Sequence, residues 1–352
     1  MLKAALALLG CLMVAVTLLP LSRSDAWWVR IWDFPRIQIA CLLAAVLLAW
    51  AVFVWTGTPG DYLFVAALVA SLAFQCASMF PYTRLHRRQV EPSARSRAEA
   101  DLVLVFGNVL MTNRRADGLR EIIRREDPDV FLAVEADEWW REQLSEFERT
   151  HPHTVLQPQD NTYGMLLYSR LELIEPRLEF LIQDDVPSIH TRVRLRSGHE
   201  VELHCLHPRP PFPSEDERST ERDAELIVVG KAVKGRQTPV VLMGDLNDVA
   251  WSRTNKLLQK ISGLLDPRVG RGFYNTFHAS FPFIRFPLDH FFHSKHFRIA
   301  DFRRLPSFGS DHFPVLVALS HEPDAAAHHE ELHPDASERA EAEEKIEKAI
   351  ST

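Results

Sequence analysis

Three long apolar runs open the chain. Leu2 to Leu21, Ile37 to Trp55 and Tyr62 to Phe80 are nearly free of charge, and each approaches the roughly 20 residues with which a helix spans the hydrocarbon core of a bilayer. Trp27, Trp28, Trp32, Trp50 and Trp55 stand at or near their ends, where an amphipathic ring fits the headgroup layer. From about residue 101 the pattern changes to short apolar runs alternating with segments of helical period, which predicts an α/β domain. Strands are expected at Asp101 to Leu110, Val130 to Glu135, Tyr163 to Ser169, Ile189 to Leu195, Glu200 to Leu206, Pro239 to Met243, Leu288 to Phe292 and Phe313 to Leu319. Helices are expected at Asp117 to Glu126, Glu138 to Arg149, Arg222 to Val233 and Trp251 to Ile261.

This pattern divides the chain into a three-helix membrane anchor over 1–83, a basic linker over 84–100, a folded domain over 101–320 and an acidic tail over 321–352. From Ser320 onward ten acidic residues face three basic ones with few bulky apolar groups, so the tail is expected to lack fixed structure. Two further spans follow the first and no small-residue cleavage site ends it, which argues for an anchor over a removable signal. The loop with Arg23, Arg30 and Arg36 and the segment Arg84 to Arg97 are basic, whereas the turn Thr56 to Asp61 has no Lys or Arg. Three spans put the two basic segments on one side, and the positive-inside rule makes that side, with the folded domain, cytoplasmic; Lys3 pulls weakly the other way. Short loops around three spans suit a bacterial inner membrane.

Cys11, Cys41 and Cys76 lie in the apolar runs and only Cys205 lies beyond them, which excludes a disulfide framework or a Cys-rich zinc site in the folded domain. The informative polar residues stand at the ends of apolar strands, where a rigid sheet aims side chains into one cleft. Asn108 follows Leu102 to Phe106, Glu135 follows Val130 to Val134, His207 follows a strand and leads into a Pro-rich turn, and Asp245 with Asn247 follows Val240 to Met243. Asp289 lies in a Leu-Asp-His, and Ser310-Asp311-His312 precedes the last strand. Taken singly, each reads as a cap or an Asx turn. His204 rivals His207 because strand alternation alone does not choose between them; the adjacent turn favours His207.

In combination, the Gly-Asp-Leu-Asn at Gly244 to Asn247, the Leu-Asp-His and the Ser-Asp-His resemble the endonuclease/exonuclease/phosphatase superfamily across residues 101 to 319. Its members include pancreatic deoxyribonuclease, abasic-site endonucleases, sphingomyelinases and inositol-polyphosphate phosphatases. One departure is Val134 before Glu135, where the superfamily often has Gln. The resemblance implies a four-layer αββα sandwich with two mixed β-sheets and a metal-dependent site at one end. It implies Glu135, Asn108 and Asp311 as ligands or supports for Mg²⁺ or Mn²⁺, and Asp245 and Asn247 at the attacking water and phosphate. It also implies His312 paired with Asp289 and His207 as a phosphate ligand, with the general base left open between Asp245 and His312. Arg268 and Arg271, on the Gly-containing loop Asp266 to Phe273, are candidates for gripping a substrate phosphate.

The expected activity is hydrolysis of a phosphodiester, nuclease-type by the superfamily's habits. A lipid or small-molecule phosphoester is the alternative, and an inactive membrane scaffold the third reading. Residues 100–320 carry 28 Lys plus Arg against 32 Asp plus Glu, so long duplex DNA, which rewards a basic surface, is not an obvious partner. The apolar segment Phe281 to Phe286 and the bilayer itself speak for a phospholipid. No obligate protein partner is evident.

Overall fold

The computed structural model describes residues 1–322 and 324–351. Four helices come first: α1 (Leu2–Leu18), the short α2 (Trp27–Arg30), α3 (Arg36–Ala49) and α4 (Pro59–Met79). With their terminal extensions α1, α3 and α4 form three apolar helices, Leu2–Ser22, Arg36–Val54 and Pro59–Tyr82, of mean hydropathy 2.4, 2.6 and 2.0, each long enough to cross a bilayer. Met13, Val16, Ile39, Leu43, Val46 and Leu68 pack between them. At Gly10 the helices approach so closely that a Cβ would lie 2.4 Å from the Phe64 ring, the role small residues play between membrane helices. Leu8, Leu48, Phe53 and Leu63 are exposed, an outer surface suited to lipid rather than water.

The α/β domain follows in the order β1 (Leu102–Asn108), α5 (Ala116–Glu126), β2 (Val130–Val134), α6 (Glu138–Leu144), β3 (His153–Gln157), β4 (Met165–Ser169), β5 (Leu173–Glu179), β6 (Ser188–Arg194) and β7 (Glu200–Leu206). It continues with α7 (Thr220–Val233), β8 (Val240–Asp245), α8 (Arg253–Ser262), β9 (Asp289–His293), β10 (Phe297–Arg304) and β11 (Val315–His321), and ends in α9 (Ala325–His328) and α10 (Ala336–Ile350). One sheet has the order β10-β11-β1-β2-β4-β3 and the other β5-β6-β7-β8-β9. Both are mixed, because β1 runs parallel to β2 and β7 parallel to β8 while the other neighbours are antiparallel.

Strand alternation builds the layers. Leu102, Leu104 and Phe106 of β1 meet Leu203, Val241 and Met243 of the opposite sheet. Val103 and Val105 turn outward onto Leu119, Ile122 and Trp140 of α5 and α6. On the far side Leu206 and Leu242 pack on Leu226, Val229 and Leu258 of α7 and α8. Central strands buried on both faces explain why they read as unbroken apolar runs. The result is the expected four-layer αββα sandwich.

Two sequence expectations need correction. The strands β3, β5 and β10 escaped prediction; all three are sheet edges, half exposed and without an apolar run. The basic linker is tied to β10, where Ser93 N donates to Ile299 O at 2.8 Å and Ile299 N to Glu91 O at 3.1 Å, extending the sheet. The tail carries an ordered helix. α10 opens with a capping box at Asp335 and Glu338, buries Ala342 beside Ile227, Leu257 and Ile261, and pairs Lys345 with Asp223 at 2.6 Å. Its acidic residues find cations on α7 and α8, such as Lys260 with Glu338 at 2.6 Å, so tertiary pairing supplies what its own apolar content lacks.

Candidate active site

The two parallel pairs decide where the chemistry gathers. β1 and β2 deliver Asn108 and Glu135 from their carboxyl ends, and β7 and β8 deliver His207 and Asp245 from theirs. The antiparallel neighbours contribute the opposite end: Asp289 begins β9 and Ser310 to His312 precede β11. Gly244 is required by the close approach of β7, because a Cβ there would lie 1.8 Å from the Leu206 carbonyl oxygen. Glu135 (φ 57°) and Asn247 (φ 50°) both hold left-handed backbone, a conformation that costs of order 1–3 kcal/mol at a non-glycine residue and persists where the surroundings enforce it.

His312 is the centre of the site. Its Nδ1 lies 3.1 and 3.0 Å from the Asp289 carboxylate oxygens, and its Nε2 lies 3.5 Å from Asp245 Oδ2. Burial alone would lower its pKa, but Asp289 and then Asp245 outweigh burial and push it up to about 10, so the ring is an imidazolium at neutral pH. Ser310 Oγ donates to the Asn108 carbonyl at 2.8 Å and accepts from His312 N at 3.0 Å, which fixes the backbone on which the ring stands. Asp245 is raised by burial, with His312 opposing, and accepts from Asn247 N at 3.0 Å. Asn247 Nδ2 donates to the Pro208 carbonyl at 3.0 Å. His207 is buried with its Nδ1 unpartnered, and desolvation lowers it to about 4, so it presents a neutral ring. His204 is elsewhere, paired with His190 at 2.7 Å.

Glu135 accepts from Asn108 Nδ2 at 2.7 Å, and burial raises its carboxyl to about 7. In that balance the Asn108 hydrogen bond and the His312 charge oppose burial, while the charges of Asp245 and Asp311 act with it. Four carboxylates, Glu135, Asp245, Asp289 and Asp311, thus surround one imidazolium, and among the described residues no Lys or Arg pairs with any of them. That surplus of hard, negative oxygen ligands fits a divalent cation. Asp245, Asp289 and His312 also place polar atoms within 4.8 Å of one another, but the charged ring has no lone pair to offer an ion, so the carboxylates are the candidate ligands.

Asn108 Oδ1 accepts from Leu110 N at 2.9 Å while its amide nitrogen faces Glu135 and, at 3.1 Å, Asp245, so it positions carboxylates. Two expected roles change. Arg268 is 1% exposed and spends its guanidinium on Asp266 at 2.7 Å and His290 at 2.6 Å. Arg271 donates to the carbonyls of Pro267 at 3.1 Å and Val90 at 2.7 Å. Both arginines therefore brace the loop from inside, because a buried guanidinium must satisfy its donors locally.

Sequence reasoning also missed Arg222. Its Nη1 donates to the Asn247 carbonyl at 2.7 Å, and its Nη2 lies 2.9 Å from Asp223 and 3.3 Å from Asp248. From there buried charges run to the apolar N-terminal helices: Asp223 to Arg30 at 3.9 Å, Arg30 to Asp33 at 3.7 Å and Asp33 to Arg36 at 2.5 Å. Arg36 reaches Gln75 at 2.9 Å, and Gln75 reaches Thr17 at 3.0 Å. Trp251 Nε1 donates to Asp33 O at 2.7 Å and Tyr82 Oη to Ala250 O at 2.6 Å along the same seam. An arginine at the start of a predicted helix carries no mark of such a role; only a lone Arg-Asp pair in an apolar helix hints at burial.

A four-layer sandwich whose facing sheets bring a His–Asp pair and a crowd of carboxylates to one end defines a phosphoesterase fold. Residues 107–312, more than half of the chain, match the Endonuclease/Exonuclease/phosphatase family, and the chain belongs to it. Members of this family are generally hydrolases of phosphoesters. Among solved structures, D. rerio TDP2 complexed with single strand DNA product is 18% identical with a TM-score of 0.53, covering 62% of this chain and 98% of its own. The human Nocturnin catalytic domain with bound sulfate anion is 16% identical with a TM-score of 0.51, covering 65% and 100%. An endonuclease/exonuclease/phosphatase protein from Beutenbergia cavernae is 18% identical with a TM-score of 0.51, covering 63% and 72%. At such identities these likenesses speak to fold alone. No curated protein matches the chain.

Proposed function

We propose that the chain is a divalent-metal-dependent phosphodiesterase that works by in-line attack of water on a phosphoester held at the bilayer surface. The observation that carries the chemistry is the Asp289–His312 pair facing Asp245 beside the uncompensated Glu135. Glu135, with Asp311 and waters, would hold the metal. The cation, Mg²⁺ or Mn²⁺, would supply Lewis-acid neutralisation of the phosphate and leaving oxygen. Asp289 holds the His312 ring with its charged Nε2–H directed into the site, where it grips a phosphate oxygen. Asp245, raised by burial and fixed by Asn247 N, takes the proton of the attacking water. His207 and the remaining N–H of the Asn247 amide steady the phosphate.

The substrate class follows from the rim. Phe277 lies tilted against the His312 ring at 5.0 Å, and the loop beyond it leaves Phe281, Phe283 and Ile284 57%, 86% and 53% exposed. Gln38, in the first turn of α3, donates to the Phe283 carbonyl at 2.7 Å, and Phe34 packs edge-on to Phe286 at 5.6 Å. An exposed apolar loop tied to the start of a bilayer-crossing helix favours a phospholipid or another membrane-borne phosphodiester. Single-stranded nucleic acid is the second reading, on the strength of the D. rerio TDP2 complex. We place the domain on the cytoplasmic side, with the basic segments that flank the spans.

The test uses the full chain in phospholipid nanodiscs. Bis-para-nitrophenyl phosphate should turn over with Mn²⁺ or Mg²⁺ but not with chelator, and Glu135→Ala and His312→Ala should abolish turnover. Lipid phosphodiesters should then outcompete single-stranded DNA as substrates. Turnover insensitive to chelator, or retained in His312→Ala, would overturn the mechanism; preference for DNA would overturn the lipid assignment alone.

A further inference from the structure

A cavity of about 590 Å³ is lined by none of the residues placed in the active site. It lies where the third span leaves the bilayer, walled by Pro81 and Tyr82 at the end of that helix, by Arg87 and Arg88 just beyond it, and by Lys256 and Val269 of the α/β domain. Lys256 and its neighbour Lys260 are shared with a second cavity of about 250 Å³, lined also by Leu21, Arg36 and Ser78 at the ends of the three spans. The two cavities thus follow the seam between membrane helices and domain.

Charge and polarity select the ligand. Lys260 is paired with Glu338 at 2.6 Å and Glu91 with Arg298 at 3.2 Å. Among the described residues no ion pair engages Arg87, Arg88 or Lys256, and the one remaining carboxylate of the lining is Glu330. Lys256 is half-buried, and desolvation, with Arg36 and Lys260 nearby, lowers its pKa against the pull of Asp33, so an anion beside it is favoured. The wall beside these cations is apolar, with Val269, Pro81 and Leu332. Basic pockets beside membrane helices are suited to anionic lipid headgroups.

We infer that this cavity binds the phosphate headgroup of an anionic phospholipid, with Arg87, Arg88 and Lys256 on the phosphate and the apolar wall along the glycerol and upper chains. The site is separate from the phosphoester that is hydrolysed, and its occupant holds the domain against the bilayer. It stands whether or not the proposed activity does.

The test is binding without turnover, with full-length protein in neutral detergent and excess chelator. The probes are short-chain phosphatidylglycerol, phosphatidylcholine of equal chain length and inorganic phosphate, each titrated against thermal unfolding read by tryptophan fluorescence. Phosphatidylglycerol should raise the unfolding temperature, as any ligand of the native state does, and the effect should weaken as salt rises. Lys256→Met and the double variant Arg87→Ala/Arg88→Ala should each lose about tenfold or more in affinity, Lys256→Arg should keep it, and His312→Ala should bind as wild type. Equal stabilisation by phosphatidylcholine, or by phosphate alone, overturns the lipid assignment. Full affinity in the variants, or loss of binding in His312→Ala, overturns the site. If Lys256→Met fails to fold, the salt dependence and headgroup preference of the wild type decide.

Discussion

Replacing Arg222 by methionine tests whether the membrane module and the reacting groups form one unit. Arg222 is 2% exposed, and its loss removes the donor to Asn247 O together with the partners of two buried carboxylates. Asp223 retains Lys345 at 2.6 Å and Ser219 at 3.2 Å. Asp248 is poorer: its Oδ1 keeps Val249 N at 2.9 Å, while its Oδ2 has only the Arg222 charge at 3.3 Å, without hydrogen-bond alignment. Breaking a buried pair costs roughly 3–5 kcal/mol. Asp248, already raised by burial, escapes part of that by taking a proton, which brings the expected loss to about 3 kcal/mol. For a domain of this size that is a fall of roughly 6–12 °C in Tm. The left-handed Asn247 turn also loses its brace, and a misplacement of about 1 Å costs on the order of 100-fold in kcat. The assays are thermal unfolding in detergent and kcat on bis-para-nitrophenyl phosphate with Mn²⁺. Adding Asp248→Asn removes the orphaned acid, so the double variant should recover stability but not kcat. A variant that loses Tm yet keeps kcat within twofold would refute the argument and leave Arg222 a purely structural residue.

Asp289→Asn should lower kcat by about 10²–10⁴-fold, because the amide no longer holds His312 charged, with the pH optimum moving down as the imidazolium is lost earlier. Glu135 gives a pH signature: with its folded carboxyl raised from 4.5 to about 7, metal-free protein is stabilised below pH 4.5 and loses roughly 3 kcal/mol as pH rises through 7. Glu135→Gln should abolish that difference in Tm-against-pH curves, and Mn²⁺ affinity of the wild type should fall about tenfold per pH unit below 7; a flat affinity from pH 5 to 8 would contradict both. Ending the chain at residue 334 removes α10 with its pairs from Lys345 to Asp223 and Lys348 to Asp25, and should lower Tm by roughly 5 °C or more, whereas a disordered tail would leave Tm unchanged.

What the sequence determined by itself was whatever local pattern encodes. Buried central strands declare themselves as apolar runs, bilayer helices as long ones, and eight polar residues at strand ends, from Asn108 to His312, converge because both parallel pairs point the same way. Patterns with no local signature were left to the tertiary structure. The edge strands β3, β5 and β10 borrow their order from a neighbour's ladder, and α10 borrows its order from cations on α7 and α8. Arg268 and Arg271 look in sequence like phosphate ligands, and only the fold shows their donors already spent on Asp266, His290 and backbone carbonyls. The bond from Arg222 to Asn247 and the charges linking it to Arg36 join residues far apart in the chain, so no spacing rule reports them. Burial sets their energetics, and burial is a property of the assembled molecule.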